Sequence, residues 1–365
     1  MTPYLFVFGV LSAFAIANHV KQFRQMRLYF FILSALMLIL FAGLRQAGVG
    51  ADDIGYINAF FDSDKYIDIL NFEYSYEISN FNMEHGLVIL MALVSVFTDD
   101  AVIFFLIVAT ISVGLNVYVI TRFGSFVFLG ILIYFTNMYF QKDLNQIRVG
   151  LASAVVFLSF FVLYKKRIIF HYSLLIIAIL IHFSSLVAVS GYFLNKLRFN
   201  MNQSLLILVV SVFVSFFGLG MFLVSFLPQS GALYQKLSYY IEWSPFNYKI
   251  DLIDPVNLKN IFLVIFFIYF YKFFDLRFGW FNFMFNTLLF MTSLRLILSD
   301  FAILSARLSA VFSFVDFLLI PLMLLVVKQR IFGLVLVFIY ILLVFYLTLS
   351  NPKWSSVFSY SLSIL

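Results

Sequence analysis

Five residues sit where a mostly apolar chain has little reason to keep them. Arg45 closes an apolar run as Gly43-Leu44-Arg45, with Gly48, Gly50, Asp52, Asp53 and Tyr56 close behind. Arg148 opens another run in Asn145-Gln146-Ile147-Arg148, ahead of the small residues Gly150 and Ala152. His182 ends a third as Ile181-His182-Phe183-Ser184-Ser185, and Arg295 and Arg307 flank Asp300 late in the chain. A charge near a bilayer centre costs about 2.5–3.5 kcal/mol, so each such residue needs a reason. Guanidinium forks pair with phosphate oxygens, and several at one membrane face describe a site for a pyrophosphate better than for a lone carboxylate. Bland readings stand beside these. Arg45 can snorkel to an interface, Arg295 can anchor a helix end or pair with Asp300, and His182 can be a packed, hydrogen-bonded ring. Arg307 lies among Ser305, Ala306 and Ser309, a small polar face suited to a cavity.

The elements that must position these residues follow from composition. Of the 365 residues, 64% are hydrophobic and 11% charged, and mean hydropathy is +1.06. A soluble domain carries about 25% charged residues, so a soluble enzyme, a disordered chain and a nucleic-acid binder are excluded. The expected fold is an all-α polytopic membrane protein forming a single integral domain over residues 1–365. The net charge of +6 is scattered singly among apolar runs and reports topology rather than a nucleic-acid surface. Zero Cys removes disulfides and thiolate chemistry, and neither a metal nor another cofactor is called for. Asp52-Asp53 and Asp99-Asp100 are adjacent pairs whose side chains normally diverge.

Apolar runs lie near 3–17, 29–44, 101–120, 125–140, 146–164, 168–182, 204–226, 258–275, 280–298, 302–327 and 331–349, with a shorter one at 183–194. Lys21, Arg24 and Arg27 follow the first run rather than precede it, which places the N-terminus outside and argues against a signal peptide. The run 85–97 is under-length for a crossing. Leaving it interfacial or re-entrant puts Arg122, the Lys165-Lys166-Arg167 cluster, Lys272 and Arg330 in the cytoplasm, in line with the positive-inside bias. The result is about 12 crossings, both termini outside and two larger periplasmic loops, 45–100 and 227–257. The five residues then share the outer end. Asp316 falls inside a span, as a proton relay or a buried pair.

These residues resemble the EpsG-like, Wzy-type polysaccharide polymerases of bacterial inner membranes. The resemblance is carried by Leu44-Arg45 with Gly50, Asp52-Asp53 and Tyr56; by Glu84-His85-Gly86 before a short apolar run; by Ile147-Arg148 with Leu151-Ala152; and by His182 with Ser184 and Leu186. Ala306-Arg307-Leu308 is similar too. Val149 stands where Gln is common, and Gln146 is placed to substitute for it. The resemblance implies a multi-pass GT-C-like fold that joins undecaprenyl-pyrophosphate-linked repeat units at the periplasmic face, for O-antigen, capsule or exopolysaccharide. It implies partners among membrane lipid, a chain-length regulator and a flippase.

In that chemistry Arg148 and Arg307, then Arg45 and Arg295, would stabilise the departing pyrophosphate. His182, Asp53 or Glu84 would take the acceptor proton. Glycan would contact Asp52, Tyr56, Gln146, Tyr239, Tyr240 and Trp243. Two rivals use the same lipid carrier: an O-antigen ligase, and a lipid-linked oligosaccharide flippase, for which Asp316 speaks.

Overall fold

The computed structural model describes residues 2–62, 83–226, 248–350 and 360–363, with positions 228 and 234. Tyr239, Tyr240 and Trp243 lie outside the described residues, as do residues 63–82 of the first long loop and most of the second. Among the described residues every element is helical, and an isolated β-bridge joins Arg45 to Leu362. Among the described residues three helices are long and apolar enough to cross a membrane: Ala101–Phe123, Ile147–Tyr164 and Arg330–Leu349. Five qualify if each of two bent pairs counts as one span, and six shorter apolar helices of 10–17 residues accompany them. The chain is an all-helical membrane protein.

The helices follow the apolar runs closely, because a backbone out of water must satisfy its polar groups within its own segment. Thr2–Ala17, Arg27–Gly43, Ile168–Ile181 and Phe281–Ile297 each occupy an expected run. His85–Ser95 is 11 residues long. At 1.5 Å per residue it extends about 16 Å, half a hydrocarbon core. The run expected at 183–194 begins as a 3-10 helix, Phe183–Ser190, and continues as Gly191–Lys196.

Two runs break where hydropathy alone would carry a helix straight through. Met201–Val214 and Leu219–Ser225 meet at 73°, and Ala302–Ala310 and Val315–Leu325 at 50°. The first break is an elbow at 215–218, where Gly218 adopts φ +69°, a left-handed conformation open to glycine at little cost. The Asp300 carboxylate then takes the backbone N–H groups of Gly220 and Met221 at 2.8 and 2.7 Å, replacing the partners lost at the bend.

The chain divides into two compact units, residues 1–186 with 316–365, and residues 187–315. In the first, Ala101–Phe123 packs on Arg27–Gly43 and on Ile147–Tyr164, which also carries Ile168–Ile181 along its length. In the second, Phe281–Ile297 is the hub, almost wholly buried, with Met201–Val214, Pro255–Tyr269 and Ala302–Ala310 around it.

Candidate functional site

The first unit gathers three of the expected residues at the ends of three helices. Glu84 immediately precedes His85–Ser95, Arg148 is the second residue of Ile147–Tyr164, and His182 caps the C-terminus of Ile168–Ile181 in an extended conformation. Glu84 is the node. Its Oε2 accepts from Arg148 Nη1 at 3.0 Å, and its Oε1 lies 3.1 Å from His182 Nδ1 and accepts from the Phe183 N–H at 3.4 Å. Helix dipoles favour this arrangement at two of the three ends: a carboxylate at an N-terminus and a histidine at a C-terminus. A cation at the start of a helix is disfavoured, and Glu84 offsets that for Arg148.

Gly86 explains how these ends come so close. A Cβ there would sit 2.7 Å from the Leu180 carbonyl carbon and 2.8 Å from its oxygen. Only a residue without one lets His85–Ser95 rest directly on the last turn of Ile168–Ile181. Gly86→Ala must therefore push two backbones apart, costing about 1–3 kcal/mol and carrying Glu84 away from His182. The expected result is a lower thermal midpoint together with reduced activity, both read on the purified protein; an unchanged midpoint would contradict the packing.

Both Arg148 and Glu84 keep about a sixth of their side chains accessible. Arg148 also faces Tyr56, its guanidinium carbon 5.8 Å from the ring centroid. Tyr56 is 1% exposed, and burial pushes its hydroxyl up while Arg148 opposes the shift. Burial likewise pushes the Glu84 carboxyl up, but the His182 ring and the Arg148 guanidinium outweigh it and hold it at about 2, against an ordinary 4.5. A carboxylate depressed in the fold stabilises it above the unfolded pKa, and the contribution is lost as pH falls towards the folded one. The thermal midpoint of the wild type should exceed that of Glu84→Gln at pH 6, and the gap should close between pH 4.5 and 2. A pH-independent gap would show that Glu84 acts through packing alone.

His182 is 6% exposed, and neither ring nitrogen has an aligned hydrogen-bond partner among the described residues. Its Nδ1 is nonetheless within ion-pair distance of Glu84, so Nε2 is the nitrogen left for a ligand. A buried polar atom without a partner is uncommon in native folds and calls for an explanation.

Arg45 and Asp53 are placed differently from the sequence expectation of a pyrophosphate ligand and a base. Arg45 is 1% exposed and Asp53 0%. Arg45 Nη2 and Nε grip the two Asp53 oxygens at 2.7 and 3.2 Å, and Nη1 donates to the Ala42 carbonyl. Phe105 covers the guanidinium, its ring centroid 4.3 Å away, and Asp53 also takes the Gly50 N–H at 2.7 Å. Residues 360–363 lie across the turn, with Gln46 N–H bonded to the Ser361 carbonyl and Ser363 N–H to that of Leu44. The pair is a closed brace that fixes the 45–53 turn and with it the start of Asp53–Phe61, which carries Tyr56. Asp52 is half-buried, its N–H held by Asn145 Oδ1 at 3.3 Å, and Gln146 is half-buried just before Arg148.

In the second unit Arg295 does not pair with Asp300, which is spent on the elbow described above. Arg295 Nε donates to Asn257 Oδ1 at 2.8 Å and Nη2 to Asp254 Oδ1 at 3.1 Å. Asp254 in turn caps Pro255–Tyr269, so Arg295 ties two helix ends together. Arg307 is half-buried in Ala302–Ala310, between the buried Ser305 and Ser309.

Sequence reasoning passed over Lys142 and Asp143, both buried. Lys142 Nζ donates to Ser153 Oγ at 2.9 Å, and Asp143 accepts from the hydroxyls of Ser112 and Tyr134. They follow a π-helical turn, Phe135–Tyr139, a feature frequent near functional sites. Its Asn137 donates to Asp316 at 3.3 Å and to Tyr340 at 3.1 Å. The overlooked signal was two adjacent opposite charges, six and five residues before Arg148, in the short polar connector between the apolar runs 125–140 and 146–164. Among the described residues no group of three or more His, Cys, Asp or Glu is placed to hold a metal ion.

This constellation of Arg45, Asp53, Glu84, Arg148 and His182 lies within the stretch matched by the EpsG family, residues 28–362. The chain belongs to the EpsG family. Amylovoran biosynthesis protein AmsC of Erwinia amylovora is 31% identical over 126 residues, 34% of this chain. That alignment spans 33% of AmsC. No solved structure matches this EpsG-family chain.

Proposed function

We propose that this EpsG-family protein is a polysaccharide polymerase, a glycosyltransferase that joins oligosaccharide repeat units carried on undecaprenyl pyrophosphate. The observation that carries the reading is the Arg148–Glu84–His182 cluster, a partly accessible cation beside a buried imidazole with an open Nε2. The similarity to AmsC, an amylovoran biosynthesis protein, supports the same class of product.

In this reading the acceptor hydroxyl of one repeat attacks the anomeric carbon of the other. The new C–O bond forms as the bond to pyrophosphate breaks, and undecaprenyl pyrophosphate leaves with the electron pair. His182 Nε2 takes the hydroxyl proton, while Glu84 at Nδ1 holds the ring and stabilises its protonated form, the usual work of a carboxylate–histidine pair. Arg148 meets the charge that builds on the departing oxygens. Arg45 and Asp53 act as the brace behind Tyr56. A topology of about 12 crossings in the bacterial inner membrane, with this cluster facing the periplasm in a GT-C-like fold, belongs to the same reading.

The test is gel analysis of surface glycan in a deletion strain complemented with wild type or His182→Gln, with membrane levels matched. Losing the base should lower polymerisation about 10²-fold, collapsing the ladder to a single repeat on its lipid anchor. A full ladder from a well-expressed His182→Gln would remove the assignment. Loss of even the single-repeat band in the deletion strain would favour the ligase, or the flippase for which buried Asp316 speaks.

A further inference from the structure

A cavity of about 360 Å³ opens in the second unit, lined in part by Ser215, Phe216, Lys249, Asp251, Asn257 and Ser299. It lies at the elbow between Met201–Val214 and Leu219–Ser225. In a membrane protein, irregular backbone is tolerated where it is buried in protein or lines a cavity, and here the elbow contributes Ser215 and Phe216 to the lining. The cavity's size is at the small end of the range of about 300–1,000 Å³ seen for small-molecule sites.

Its chemistry is mixed. Lys249 and Asp251 set opposite charges in one lining, so an anion attracted by the first is repelled by the second. Phe216 offers a ring 63% exposed, with Lys249 Nζ 5.9 Å from its centroid. Ser299 is 2% exposed, and its hydroxyl has no hydrogen-bond partner among the described residues. Asn257 is fully engaged by Arg295 and by the Asp251 carbonyl, which makes that wall rigid. A flat apolar face, one donor cation, one acceptor carboxylate and an unused buried hydroxyl suit a neutral polyol: hydroxyls for the polar groups, C–H faces for the ring.

We propose that this cavity is a carbohydrate subsite that holds one sugar residue of the glycan, with Phe216 as its platform and Ser299, Lys249 and Asp251 as its hydrogen-bonding groups. It rests on the polysaccharide reading above and adds a binding position independent of Arg148 and His182. The Arg295–Asn257–Asp254 network is its support rather than its ligand.

The probe is the lipid-free oligosaccharide released by mild acid from the native host's own surface polysaccharide. It is titrated into the purified full-length protein in nanodiscs and read by saturation-transfer NMR. Wild type should bind, and Phe216→Ala and Ser299→Leu should each weaken binding about tenfold, the loss of a stacking face or of the space itself. Phe216→Ala removes an exposed ring and leaves the fold intact; Phe262→Ala, on an exposed face elsewhere, should bind as wild type. Equal binding by all variants, no binding by wild type, or displacement of the oligosaccharide by inorganic pyrophosphate would overturn the subsite. No turnover is needed, so a negative result here leaves the polymerase reading to the ladder test, and a failed ladder test leaves this binding result standing.

Discussion

Arg148→Ala should lower polymer formation about 10²–10³-fold, the usual loss when a preorganised donor to developing negative charge is removed. The variant also leaves Glu84 to pair with His182, 3.1 Å away. Arg148→Lys keeps the charge and gives up the planar fork, and it should recover part of the activity. Single-turnover conversion of lipid-linked repeat by purified protein separates the two effects. A rise in KM with kcat unchanged would show that Arg148 binds ground state and transition state alike; full activity in the alanine variant would dismiss it from the site.

The largest stability effect should come from Arg45→Ala. Removing one partner of a buried ion pair leaves the other charge without compensation, at a cost of about 3–5 kcal/mol. Asp53 is fully buried and would keep the Gly50 N–H. Membrane abundance and the detergent-solubilised thermal midpoint should both fall. Adding Asp53→Asn to Arg45→Ala should restore part of the loss, because the stranded carboxylate is neutralised. If the double variant is no better than the single, the cost lies in lost packing against Phe105 rather than in charge. The same experiment separates brace from ligand: a brace loses protein level first, whereas a pyrophosphate ligand would lose activity at normal level.

Much of the fold was legible in advance because hydropathy is a local property. Several apolar runs became single helices within a few residues of their expected ends, as Ile147–Tyr164 and Arg330–Leu349 show. The shortness of His85–Ser95 was equally readable, since length sets whether a segment can cross. The elbow at 215–218 was not. Its run is apolar throughout, and the bend depends on Asp300, 80 residues away in sequence from Gly220, supplying acceptors for the freed N–H groups. Lys142 and Asp143 were hidden for a similar reason: their burial rests on Ser112, Tyr134 and Ser153 from three other stretches of chain.

By itself the sequence determined that this is a helical membrane protein and which few polar residues are too costly to be incidental, because the price of a charge in an apolar run depends on the run alone. Which of those residues face each other was decided by the tertiary structure alone. Arg45 and Arg148 look alike in sequence, each an arginine at the end of an apolar run. Packing closed the first over Asp53 and Phe105 and left the second partly accessible beside Glu84 and His182. The difference arises from contacts between segments far apart in the chain, where small residues such as Gly86 let helix ends meet, and no local pattern records those meetings.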